Sequence, residues 1–109
     1  MTMKRKILFV VNAVKWRDRV NGNTYHSVEI TRTRDGKTIR CPFQYGYGDQ
    51  YKYTALNAML AAKWIPAGYA ETYPSGGNKA GNYERENGYP IMWNERHATK
   101  RECETNGKP

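Results

Sequence analysis

The order of patterns along the chain predicts an α+β domain, an antiparallel three- or four-stranded sheet packed on one main helix in the order β-β-β-α-loop-β-α. Three observations carry this reading. Residues 7–16, 24–33 and 38–45 alternate or are rich in β-branched and aromatic side chains, and Asn21-Gly22 and Asp35-Gly36 separate them. A stripe at helical spacing follows in residues 50–64. A length of 109 residues allows one hydrophobic core, so residues 1–109 are read as a single domain.

Asp35-Gly36 is expected to form a two-residue type I′ turn, because both central positions need positive φ, which Asp tolerates and Gly adopts freely. That turn sets Ile30 opposite Cys41, Val28 opposite Phe43 and His26 opposite Tyr45, all on the apolar face. A strict two-residue loop at Asn21-Gly22 would place Val14 against Glu29. A wider or bulged loop within residues 17–23 is therefore predicted, bringing Trp16 to His26 and Val14 to Val28. Phe9 and Val11 then fall on the polar-side parity, which points to cover of the second face by the last helix or by the other subunit of a homodimer.

Asp49 is expected to cap a helix over residues 50–63, whose Tyr53, Leu56, Met59, Leu60 and Trp64 recur at spacings of three and four and face the sheet. Ile65-Pro66 and Gly68 stop it, because Pro lacks a donor and disfavours helix in the residue before it. Residues 67–88, with Ser75-Gly76-Gly77-Asn78 at their centre, read as a mobile Gly/Asn/Tyr-rich loop. Residues 89–93 predict an edge strand, with Pro90 unsuited to a central one, and Asn94 a cap for a last helix over residues 95–105.

Charge points to function. The net charge is +8, and residues 1–40 hold ten Lys and Arg against three acids. Such asymmetry builds a positive surface that attracts polyanions. Lys15, Arg17, Arg19 and Arg40 are expected to project from one sheet face and its loop toward an anionic ligand. Tyr45 and Tyr47, in the turn Tyr45-Gly46-Tyr47-Gly48, offer rings that stack on bases. That turn lacks the Lys-Ser/Thr ending of a phosphate loop, and Asp49 would repel an anion.

No catalytic constellation emerges, so the chain is read as a binding protein with no cofactor and no metal. His26 falls on the apolar face, where a hydrogen-bonded core imidazole is the ordinary outcome, and no family spacing ties Ser27, Cys41, Thr99 or Cys103 to either His26 or His97. Two distant cysteines without a CxxC pattern read as free thiols in a cytoplasmic protein. The longest apolar run, residues 7–11, is far below the roughly 20 residues that span a bilayer, so no membrane partner is expected.

The stretches Asn21-Gly22-Asn23-Thr24-Tyr25-His26-Ser27, Pro42-Phe43-Gln44-Tyr45-Gly46-Tyr47-Gly48 and Tyr89-Pro90-Ile91-Met92-Trp93-Asn94 resemble small, functionally uncharacterised accessory proteins of bacteriophages and prophages. The resemblance implies work in a host cell cytoplasm, where such proteins bind nucleic acid or block a defence system, CRISPR effectors included. The leading expectation is engagement of nucleic acid or a nucleotide-like anion. The alternative is a protein-protein inhibitor of a host defence effector, and an enzyme of unknown type comes third.

Overall fold

A computed structural model describes residues 6–69 and 79–108. Four strands form one mixed sheet: β1 (Phe9–Asp18), β2 (Asn23–Arg32), β3 (Thr38–Tyr45) and β4 (Ile91–His97), in the spatial order β3-β2-β1-β4. The first three are antiparallel meanders. β4 runs parallel to β1, so the sheet is not purely antiparallel. A parallel edge needs a crossover, supplied here by α1 (Gln50–Ala61), a 3-10 turn (Ala67–Tyr69) and α2 (Lys79–Glu86). A last helix, α3 (Lys100–Asn106), packs on the opposite face.

Both hairpin loops are four residues wide, which corrects the type I′ expectation at Asp35-Gly36. Asp18 pairs with Asn23, and the Arg32 amide donates to the Lys37 carbonyl. In each loop the fourth residue is glycine at positive φ, 72° for Gly22 and 74° for Gly36, and its amide closes back to Asp18 or Arg32. The Asn and Asp before these glycines are therefore third residues of wider loops. The loop expected to be wide within residues 17–23 is so, but by one residue more than the register needed.

That extra residue inverts β1. Trp16 pairs with Tyr25 and Val14 with Ser27, not with His26 and Val28, so the odd positions of β1 face α1. Phe9, Val11 and Ala13 thus join Val28, Ile30 and Cys41 in the core under Ala55, Leu56 and Met59. Phe9 and Val11 lie in this core and not on a polar face. The second face is nonetheless covered in its centre, by α3.

In β2–β3 the pairs Val28–Cys41 and Ile30–Ile39 replace the expected Ile30–Cys41 pairing. A bulge sets Pro42 and Phe43 against Ser27 alone, and proline, lacking an amide hydrogen, suits such a site on an edge strand. Beyond the bulge the parity flips. Phe43 and Tyr45 therefore leave the core face expected for them and join Tyr25 on the opposite one.

The buried residues of α1 are Tyr51, Ala55, Leu56 and Met59, while Tyr53, Leu60 and Trp64 are half-buried, so the helix is rotated toward Tyr51 relative to the expected stripe. Asp49 occupies the N-cap position without a side-chain capping bond. Helix α2 lies within the stretch read as a mobile loop, and its Tyr83 is a core residue. The Ser75-Gly76-Gly77-Asn78 centre of that stretch lies outside the described residues. Residues 95–97 extend β4 instead of opening a helix. The last helix is capped by Thr99, not Asn94, in a reciprocal box in which the Glu102 amide donates to Thr99 Oγ1 and the Thr99 amide to the Glu102 carboxylate. Among the described residues no helix is long and apolar enough to cross a membrane.

Candidate nucleic-acid interface

Helix α3 leaves one end of its sheet face open, and its own placement is tightly held. The Ser27 hydroxyl donates to the Cys103 carbonyl, and the Asn106 amide donates to the Asn12 carbonyl at 3.2 Å and to Ser27 Oγ at 3.2 Å. Cys103 Sγ lies 3.2 Å from the Val14 carbonyl. At Gly107 a Cβ would stand 2.7 Å from the Cys41 carbonyl oxygen and 2.8 Å from Pro42 Cα, so only glycine permits this approach of the chain to β3. Both cysteines are buried free thiols, their ionisation pushed up by burial.

Beside α3, at the loop end of the sheet, an aromatic row crosses three strands. Trp16 on β1 stacks on Tyr25 of β2 with centroids 5.7 Å apart, Tyr25 stacks on Phe43 of β3 at 5.0 Å, and Tyr45 meets Tyr25 edge-on at 5.8 Å. Trp16, Tyr25 and Phe43 are half-buried, while Tyr45 is 58% exposed. The row exists because of the two register features described above: the four-residue loop turns Trp16 outward and the bulge turns Phe43 and Tyr45 to the same side.

Hollows flank both ends of the row. At the Trp16 end, Arg17, Arg19, His97, Thr99 and Glu102 border one of ≈ 530 Å³. At the other, Tyr45, Tyr47, Asp49, Gln50 and Tyr53 border one of ≈ 480 Å³, and Tyr47 is 70% exposed. Lys100 holds its ammonium 5.6 Å from the Trp16 ring centroid. Arg17, Arg19 and Arg101 have no ion-pair partner among the described residues. On the far side of α3, Arg40, Arg96 and Arg101 border a third hollow of ≈ 420 Å³, where Arg40 bonds Glu29 at 2.7 Å and the Asn106 carbonyl at 3.2 Å.

Of the residues expected from sequence to contact a ligand, Arg17 and Arg19 flank one end of the row and Tyr45 and Tyr47 the other. Arg40 shares the face but stands across α3. Lys15 is misplaced by the expectation: the inverted parity of β1 turns it under α1, where it is buried, pairs with Glu95 at 2.7 Å and lies over the Tyr51 ring. Sequence reasoning missed Trp16, Tyr25, Phe43 and Lys100, and no local signal marks them without the true register.

His26 belongs to the scaffold. Its Nδ1 stands 3.1 Å from the Gly46 carbonyl, which only accepts, so Nδ1 carries the proton and Nε2 accepts from the Thr54 hydroxyl at 2.9 Å. Burial, with Lys15 nearby, holds its protonation below the ordinary histidine range. These bonds tie the Tyr45–Gly48 turn to α1. Among the described residues no group of three or more His, Cys, Asp or Glu could hold a metal ion. No protein-family model, curated protein or solved structure matches the chain.

Proposed function

We propose that the protein binds single-stranded nucleic acid across the sheet face beside α3. The observation that carries this is the coincidence of the Trp16–Tyr25–Phe43–Tyr45 row with Arg17 and Arg19 at its edge, two cations that have no ion-pair partner among the described residues. The row offers its outer edge and the exposed Tyr45 ring to bases of any sequence, and flanking guanidinium groups neutralise the phosphates between them. Three adjacent strands span about 10 Å, room for two or three stacked nucleotides. A duplex hides its base faces and gains nothing from the row.

Fluorescence anisotropy with short labelled strands tests this. Single strands of mixed sequence bind more tightly than the matching duplex, and Trp16→Ala weakens the single strand selectively. Equal affinity for both forms would reduce the site to a charged patch. Absence of binding at low salt, with one host protein retained in a pull-down, would favour the protein-partner reading of an anti-defence inhibitor.

A further inference from the structure

A second cationic site stands at the other end of the molecule. Phe9 and Trp16 are seven residues apart on β1, about 23 Å, and point to opposite faces. Beside Phe9 a cavity of ≈ 210 Å³ is bordered by the apolar Leu8, Trp64 and Tyr83 and by the cationic Arg32, Arg34 and Lys63. Trp64 is packed on both sides: Phe9 stacks on it with centroids 5.9 Å apart, and Arg32 lies 4.7 Å over its ring. Arg32 is held there by Asp35, which its guanidinium meets at 2.6 and 3.1 Å. Asp35 offsets Arg32, so the excess charge comes from Arg34 and Lys63, neither with an ion-pair partner among the described residues.

Lys63 adds an independent sign. It follows α1 in a C-terminal motif where the Trp64 amide donates to the Met59 carbonyl at 2.8 Å and the Lys63 amide to the Leu60 carbonyl at 3.0 Å. The position requires positive φ and Lys63 sits at 61°, where glycine is the residue of least cost. The left-handed backbone costs some stability relative to glycine, and the Lys63 side chain borders the cavity.

We propose that this cavity binds the phosphate of a compact organic phosphomonoester, with the ester group resting against Leu8, Tyr83 and the edge of Trp64. Two cations without an ion-pair partner among the described residues match the two charges of a phosphomonoester, and low-polarity walls strengthen their pull. Free nucleoside monophosphates and the 5′-phosphorylated end of a strand share this chemistry. In the second case the site deepens the nucleic-acid reading; in the first it stands apart from it.

Calorimetric titration of the whole protein with AMP, and with adenosine as its uncharged counterpart, tests the site. AMP binds saturably and adenosine does not. Arg34→Ala and Lys63→Gly each weaken AMP by roughly tenfold, the loss of one charge-assisted bond. Lys63→Gly at the same time raises the melting temperature, a combination that a purely structural lysine would not give. Comparing 5′-phosphorylated with 5′-hydroxyl strands separates the two sources: a preference for the phosphorylated strand that Lys63→Gly abolishes assigns the strand end, and AMP binding without that preference assigns the free nucleotide. Failure of AMP and of the phosphorylated end to bind the cavity, or loss of AMP binding in Trp16→Ala with retention in Lys63→Gly, would overturn the proposal. Strand binding that depends on Trp16 would survive either failure, so the two readings fail separately.

Discussion

Gly107→Ala tests whether α3 is packed on the sheet as tightly as its hydrogen bonds require. The added Cβ would stand 2.7 Å from the Cys41 carbonyl oxygen and 2.8 Å from Pro42 Cα, against ordinary contacts of 3.4 Å or more. Both obstacles are backbone, so relief requires α3 and β3 to separate by more than half an ångström. That movement strains the bonds from Ser27 to the Cys103 carbonyl and from Asn106 to Ser27 and Asn12. Overpacking of this kind costs about 1 to 3 kcal/mol, and a buried hydroxyl losing its partner adds to it. Gly68→Ala is the matched control, since nothing lies within 4 Å of the new Cβ and φ is not positive. It should be neutral or slightly stabilising, by restricting the unfolded chain. Urea unfolding followed by tryptophan fluorescence reads both midpoints. If Gly107→Ala unfolds within about 0.3 kcal/mol of the parent, the close approach of α3 to β3 is wrong.

Leu56→Ala should destabilise by about 2 to 5 kcal/mol, because Leu56 is fully buried, whereas half-buried Leu60 should lose markedly less on the same change. Equal costs in chemical denaturation would mean that α1 is rotated otherwise. Stability should also fall as pH drops below His26's ordinary value of 6.5. The folded state resists protonating this imidazole, so the unfolded chain takes up the proton first and the neutral ring's contribution, complete above that value, is lost toward the lower folded one. His26→Gln should flatten the stability profile between pH 7 and 5; an unchanged slope would place the titration elsewhere. Gly46→Ala should cost stability through the same contact, its Cβ falling 2.6 Å from His26 Cε1.

The elements were legible where pattern and chemistry agree locally: three alternating strands, a stripe ending at Ile65-Pro66, an edge strand after Pro90. Register was not. Asn21-Gly22 and Asp35-Gly36 suit both a two-residue hairpin turn and the last half of a four-residue loop, and only burial across strands decides between them. Choosing the odd residues of β1 for the core unites Phe9, Val11 and Ala13, whereas the even set is interrupted by Asn12. That choice sends Lys15 inward and Trp16 outward, so the reading of the site failed at Lys15 and missed Trp16 together. The parallel pairing of β4 is non-local, and nothing within residues 91–97 encodes direction. The Thr99-x-x-Glu102 box was readable, and it marks the start of α3 better than Asn94.

The most direct test of the nucleic-acid face is the salt dependence of single-strand binding. Each phosphate neutralised on a single strand contributes about −0.7 to the slope of log affinity against log salt. If Arg17 and Arg19 each contact a phosphate, the parent slope is about −1.4, and Arg17→Ala flattens it by about 0.7 while weakening every sequence alike. Trp16→Ala should lower affinity by about 1 to 3 kcal/mol and leave the slope unchanged, because stacking releases no counterions. A slope that stays the same in Arg17→Ala, together with undiminished affinity in Trp16→Ala, would contradict the assignment of this face.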